Sequence, residues 1–271
     1  MELRALGASG SISAGMRTTA LLIDDTLLID AGSGVGDLSL NALCAITDVV
    51  LTHAHLDHVG FLALMADARI GTVAPTLRVH ALPETIQVLR EHLFNDALWP
   101  DFTALPSPTA PVLSLHPVAR TEGLTLGTHH ITPLPAQHAI PAMGVAISTA
   151  ETCVAFSGDT GPCPELWTAL QQFEHLDGLI IECALPDRLE RLAVQIGHYT
   201  PRLLAKDLRQ HLAPEIPVWI SHLKPSEAQQ IAFELAEVLP TERIRYLRCG
   251  EKLHFGRGCT PHAHISELDF Q

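Results

Sequence analysis

At 271 residues, 47% of them hydrophobic and 17% charged, the chain is long enough for one large domain with a sizeable core, which excludes general disorder. Its 17 Lys and Arg against 30 Asp and Glu give a formal charge of −13, which disfavours long nucleic acids, because these are held chiefly by basic side chains that displace counterions. No apolar run approaches the ~18 residues of a membrane span, and Met1–Leu6 lacks the basic flank and apolar core of a signal peptide, so no membrane partner and a cytoplasmic location are expected.

In chain order, Met1–Leu6, Thr18–Ile23 and Thr26–Asp30 read as an antiparallel meander, with a turn at Asp24-Asp25. Asp30 closes its strand, either as a loop cap or as a carboxylate that orients a neighbouring histidine. Ala45–Leu51 reads as a buried strand that runs into Thr52-His53-Ala54-His55-Leu56-Asp57-His58-Val59-Gly60, and Val59–Ala68 as a helix. A further strand is expected over Thr76–His80. A helix starts after Pro83, spans Glu84–Leu98 and is stopped by Pro100. That stretch carries Phe94, Trp99 and Phe102, read as a packed cover over the sheet or as a base-stacking wall.

Short runs at Leu124–Leu126, His130–Leu134 and Gly144–Ser148 imply a second sheet, with His138 in a loop between two of them. Cys153–Ser157 leads into Gly158-Asp159-Thr160-Gly161, and Leu179–Cys183 is another buried strand. A polar helix over Arg188–Val194 precedes Gly197-His198-Tyr199-Thr200-Pro201 and a helix over Arg202–Leu212. Pro217–Ser221 gives a strand ending at His222, Ser226 caps a last helix, and Arg245–Leu247 closes the second sheet. The pattern suits two sheets face to face with helices outside. Six cysteines, Cys44, Cys153, Cys163, Cys183, Cys249 and Cys259, show no CxxC spacing and read as reduced thiols.

Residues two apart on extended backbone point the same way, so His53 and His55 converge beyond a strand end, while Asp57 and His58 open the helix that follows. Three imidazoles and a carboxylate so close together lose hydration that a bound cation offsets.

His53-x-His55-x-Asp57-His58, followed in order by His138, Gly158-Asp159 and His222, resembles the metallo-β-lactamase superfamily over most of the chain. The resemblance implies an α/β (α+β) fold, a four-layer αββα sandwich. It also implies a single domain over 1–271, with a helical cover segment near 83–102. It puts one metal on His53, His55 and His138, another on Asp57, His58 and His222, and makes Asp159 the bridge. Imidazole and carboxylate donors suit two Zn²⁺, and Mn²⁺ or Fe also fit. Two such ions, less Asp57, Asp159 and a hydroxide, leave a formal charge of about +1 that attracts a small anion.

Within the superfamily, His92-Leu93-Phe94-Asn95 with Trp99-Pro100, Ser157–Pro162, Gly197–Pro201 and His222-Leu223-Lys224-Pro225 resemble the class II cyclic-nucleotide phosphodiesterases. One departure is Phe61, where that signature usually has Gly or Ser. The activity implied is the opening of 3′,5′-cyclic nucleotides such as cAMP to 5′-monophosphates by a metal-activated hydroxide. Asp57 and His198 are the catalytic residues implied, His198 as general acid or phosphate donor. His198, Thr200, Phe94 and Trp99 are the substrate contacts, and Lys224 is either a phosphate partner or a solvated side chain. The alternatives are another phosphodiester, as in the tRNA 3′-endonucleases, a thioester or lactone, and a metal-binding protein without turnover. cAMP against cGMP preference and oligomeric state are left open. His129 and His130, with His80, His116, His175, His211, His254, His262 and His264, match no ligand position.

Overall fold

The computed structural model describes residues 1–240 and 243–256; Cys259, His262 and His264 lie outside them. In chain order the strands are β1 Glu2–Gly7, β2 Ala20–Ile23, β3 Leu27–Ile29, β4 Asp48–Val50, β5 Leu77–Ala81, β6 Pro106–Ser107, β7 Ala110–Pro111 and β8 Leu113–Pro117. They continue as β9 Leu124–Leu126, β10 His129–Pro135, β11 Met143–Ser148, β12 Cys153–Phe156, β13 Gly178–Glu182, β14 Val218–Ser221, β15 Ile244–Tyr246 and β16 Lys252–His254. The α-helices are α1 Leu40–Ala45, α2 Leu56–Arg69, α3 Pro83–Val88, α4 Pro164–Leu170, α5 Glu190–Ile196, α6 Pro201–His211 and α7 Ala228–Val238.

Two seven-stranded sheets result, ordered β16-β1-β2-β3-β4-β5-β8 and β15-β14-β13-β12-β11-β10-β9. Period-two alternation sorts their side chains between layers. Leu21, Ile23, Ile29 and Val50 of the first sheet meet Val145, Ile147, Phe156, Ile180 and Trp219 of the second in one core between the sheets. The intervening Leu22, Leu28 and Val49 face outward onto α2 through Val59, Leu62 and Ala66. Leu179, Ile181, Val218 and Ile220 likewise face Leu204, Leu208, Ile231 and Leu235 of α6 and α7. This is the expected αββα sandwich; burying one Leu of this kind contributes roughly 2 kcal/mol.

Each sheet changes direction midway. In the first, β1, β2 and β3 are antiparallel neighbours, whereas β3, β4, β5 and β8 run parallel. In the second, β10 to β12 are antiparallel and β12 to β15 parallel. Parallel strands end on the same side, and the loops leaving those ends are where α/β sheets hold ligands.

Several expected boundaries shift. The strand expected over Ala45–Leu51 is only Asp48–Val50, and Ala45 instead ends a helix, Leu40–Ala45, whose N-cap Ser39 accepts a hydrogen bond from Ala42 N. The helix after Pro83 ends at Leu93 through a π-turn, well before Pro100. Asn95 ends it: its side chain accepts from Ala97 N and Leu98 N and donates to the Glu91 carbonyl. Ser226 does not cap α7, which follows Glu227 without a side-chain cap. The expectations did not include α4, nor β8 and β16, which complete the two edges of the first sheet. No described helix is long and apolar enough to cross a membrane, and Cys44, Cys153, Cys163, Cys183 and Cys249 are free thiols.

At the start of the strand that leads to the histidine motif, Asp48 accepts from Arg78 Nε and Nη2 at 2.7 and 2.6 Å, and lies 2.8 Å from His80 Nε2. Burial alone would raise its pKa, yet the bonds from Arg78, His80 and Thr47 hold it below the ordinary value. A carboxyl depressed in the folded state stabilises above its unfolded pKa and loses that contribution as pH falls through the folded value. Asp48→Asn should therefore cost about 2 kcal/mol at pH 7, with the gap to wild type closing below about pH 4; urea unfolding from pH 7 to pH 3 reads both.

Candidate metal centre

All the clustered donors leave the carboxyl ends of parallel strands or the loops beside them. His53 and His55 follow β4, and Asp57 and His58 lie in the first turn of α2. Asp159 follows β12, His222 follows β14, and His138 comes from the loop between β10 and β11. One atom each of His53, His55, His138 and Asp159 lies within 4.8 Å of the others, and the same holds for Asp57, His58, Asp159 and His222. Asp159 belongs to both groups. Its Oδ1 is 3.3 Å from His58 Nε2, and its Oδ2 is 3.2 Å from His222 Nε2 and 3.7 Å from His53 Nε2.

The outer ring nitrogens are anchored, which turns the inner ones toward the shared space. His58 Nδ1 is 2.7 Å from Asp30 Oδ2. The Thr52 hydroxyl donates to the same carboxylate at 2.8 Å and stands 3.0 Å from His53 Nδ1. Thr52 N also donates to Asp30 Oδ1 at 2.8 Å. Asp30 thus orients one histidine of each group, directly for His58 and through Thr52 for His53. His138 Nδ1 donates to the Gly197 carbonyl at 2.9 Å, leaving Nε2 as an acceptor facing His55 Nδ1 at 3.1 Å. Gly197 is required there, since its φ is +74° and a Cβ would stand 2.5 Å from His138 Cα.

A divalent cation fits this donor set. Buried His58 Nε2, His222 Nε2 and Asp159 Oδ1 make no hydrogen bond, although all converge on one point. Such orphaned groups cost about 1–3 kcal/mol each, and a cation shared among them removes that cost. Protonation is suited to ligation as well. Burial lowers the pKa of His53, His55 and His138, and brings His222 down to about 3. These four are therefore neutral imidazoles with lone pairs to give. His58 is the exception: burial would depress it, yet Asp159 and Asp30 on either side raise it well above the ordinary value.

Sequence reasoning did not find Glu182, the last residue of β13. Fully buried, it lies 2.6 Å from His198 Nδ1 and accepts from Thr160 N and Ala184 N, both at 3.0 Å. The signal was present, since an acid closing the apolar run Leu179-Ile180-Ile181 breaks the rule that buried charge must be paired. His198 is held by this carboxylate, stacks 5.5 Å from His222 and meets His138 edge-on at 5.0 Å, so it stands against both donor groups and does not act as a helix cap. Burial would lower its pKa, but Glu182 raises it above the ordinary value. Thr200 is fully buried at the start of α6 with Oγ1 unpartnered, so its side chain does not cap that helix either.

Phe94 and Trp99 are not brought to this point. Phe94 is 3% exposed, packs 6.3 Å from Phe102 and belongs to the core between the first sheet and its helices, with Trp99 against it. A ring so enclosed has no face for a base, so Phe94 belongs to the packed cover and not to a stacking wall, with half-buried Trp99 packed against that core. Outside the centre, His129 pairs with Asp24 at 2.8 Å and His80 with Asp48, as ordinary structural histidines.

The profile of the beta-lactamase superfamily domain matches residues 25–238. A probable 3′,5′-cyclic-nucleotide phosphodiesterase of Yersinia pestis is 30% identical over 279 aligned positions, spanning 84% of this chain and 79% of that protein. The 3′,5′-cyclic-nucleotide phosphodiesterase 1 of Saccharomyces cerevisiae is 28% identical over 188 positions, 60% of this chain and 50% of the yeast protein. The crystal structure of unliganded yeast PDE1 superposes with a TM-score of 0.75 at 21% identity, over 94% of this chain and 99% of that one, a likeness of fold.

Because four of the five histidines are already neutral, the imidazoles should give up about one proton, that of His58, on Zn²⁺ uptake at pH 7, over any lost by bound water, and affinity should fall as pH drops. Titration calorimetry in two buffers of different ionisation enthalpy measures the count.

Proposed function

The chain belongs to the beta-lactamase superfamily, and from that premise we propose that it is a dinuclear, metal-dependent phosphodiesterase that opens 3′,5′-cyclic nucleotides, cAMP among them, to 5′-monophosphates. The observation that carries this reading is a single one: the Glu182–His198 pair stands beside two donor groups that share Asp159. The kinship with cyclic-nucleotide phosphodiesterases supports the substrate class.

In this reading His53, His55 and His138 hold one ion, Asp57, His58 and His222 the other, and Asp159 both. Zn²⁺ matches the imidazole and carboxylate donors, and Mn²⁺ or Fe would be accepted as well. When bound, such ions supply a water of lowered pKa and positive charge for the phosphoryl oxygens. The remaining work falls to side chains. Asp30 keeps His53 and His58 in the tautomer that presents Nε2. His198, kept protonated by Glu182, donates its proton to the 3′-oxygen as that oxygen leaves phosphorus. Thr200 Oγ1 is unpartnered but as fully enclosed as Phe94, so no phosphate contact is assigned to it. The surface charge of −13 turns long polyanions away, so the substrate is a small anion drawn by the local cations. The free thiols fit a reducing compartment such as the cytoplasm. All of this is work for one domain over 1–271.

His198→Ala should lower kcat for 3′,5′-cAMP by roughly 10²-fold or more while leaving metal content unchanged. With bis(p-nitrophenyl) phosphate the loss should be much smaller, since nitrophenolate leaves without a proton. Product analysis and metal analysis of the Zn²⁺-loaded enzyme test this; equal losses on both substrates would remove His198 as the acid. Glu182→Gln should follow the same pattern with a smaller drop.

A further inference from the structure

His222 has φ +61°, the left-handed region that few residues other than glycine adopt. The segment that leaves β1 of the opposite sheet runs alongside that turn. His222 N donates to the Ala8 carbonyl at 2.7 Å, and Gly10 N to the Leu223 carbonyl at 3.0 Å. Ser9 Oγ donates to the Leu223 carbonyl at 3.1 Å. Lys224 Nζ then reaches back to the Gly10 carbonyl at 2.6 Å, tying the two segments at their far end.

Gly10 is also the wall behind the imidazole. A Cβ on Gly10 would stand 2.6 Å from the His222 carbonyl oxygen, 2.9 Å from Cδ2 and 3.0 Å from Nε2, the atom turned toward Asp159. No other residue type fits that position unless the ring moves. On the other side, Thr19 Oγ1 stands 3.4 Å from Nδ1. The ring is therefore fixed by contacts from the first sheet, although the residue belongs to the second.

We infer that Lys224 and Gly10 form a latch that positions His222 for the second cation, so that Lys224 acts through a main-chain hydrogen bond and not as a phosphate ligand. The inference rests on the reading of Asp57, His58, Asp159 and His222 as one cation group. Two opposed effects separate the latch from a purely electrostatic role. The Lys224 ammonium is bonded to the carbonyl of Gly10, which abuts the His222 ring, so by charge alone it would repel a cation. Removing it should then tighten the second ion. A latch predicts the opposite sign.

The experiment is a Co²⁺ titration of metal-free wild type, Lys224→Met, Lys224→Arg and Gly10→Ala, followed by visible absorption and by equilibrium dialysis with metal analysis. Wild type should take two equivalents. Lys224→Met and Gly10→Ala should bind the first as wild type does, which also certifies their folding. The second should bind roughly 10- to 100-fold more weakly, the usual effect of removing a group that orients a ligand. Lys224→Arg, still able to donate to the Gly10 carbonyl, should recover most of it. Second-ion affinity unchanged or improved in Lys224→Met would overturn the latch and leave the cation reading standing. Fewer than two equivalents in wild type would overturn both.

Discussion

Asp30 is the one residue on which both halves of the centre lean. Its carboxylate is completely enclosed and meets His58 Nδ1, the Thr52 hydroxyl and Thr52 N at once. A buried carboxylate must be satisfied at nearly every lone pair, and here that demand fixes the path of the chain between β4 and α2. Its own backbone is left-handed, at φ +58°, with its amide bonded to the Val50 carbonyl, so the turn after β3 is tied to the end of β4. The order of the histidines is thus a consequence of one buried charge and its partners.

The two sheets contribute unequally. The first supplies His53, His55, Asp57 and His58 in one short stretch with Asp30 beneath them, a nearly self-contained half. The second supplies Asp159, His138 and His222 from three separate connections: Asp159 and His222 follow the parallel strands β12 and β14, which flank β13, and His138 comes from the antiparallel β10–β11 connection. The core between the sheets, with Phe156, Ile180 and Trp219 against Leu21, Ile29 and Val50, keeps these ends together. Packing of this density resists sliding, and Asp159 stands where both contributions meet.

His198 illustrates how the same fold makes two kinds of imidazole. His222, buried without a hydrogen-bonded carboxylate, is driven neutral; His198, 18° from parallel with it and 5.5 Å away, is held toward the charged form by Glu182. Neighbouring groups with opposed proton affinities are the usual signature of divided chemical roles. The division comes from the hydrogen-bonded carboxylate that His198 has and His222 lacks.

The residues of the local motif were legible from the chain alone, because their geometry is local: extended backbone aims His53 and His55 together, and the first helical turn returns Asp57 and His58 to the same place. The succession of short apolar runs likewise announced two sheets. Short-range signals misled where local side-chain bonds compete with propensity, as when Asn95 ended a helix before Pro100. Phe94 and Trp99 looked available for a ligand, but only packing reveals that Phe94 is enclosed. Glu182 beneath His198, and Lys224 fastened to Gly10, join residues 16 and 214 positions apart. Sequence determines which chemistry the side chains carry, because donor type and local spacing are written in it. Which carboxylate reaches which ring depended on strands brought together by the shared core, and that distance is set only when the whole chain has folded.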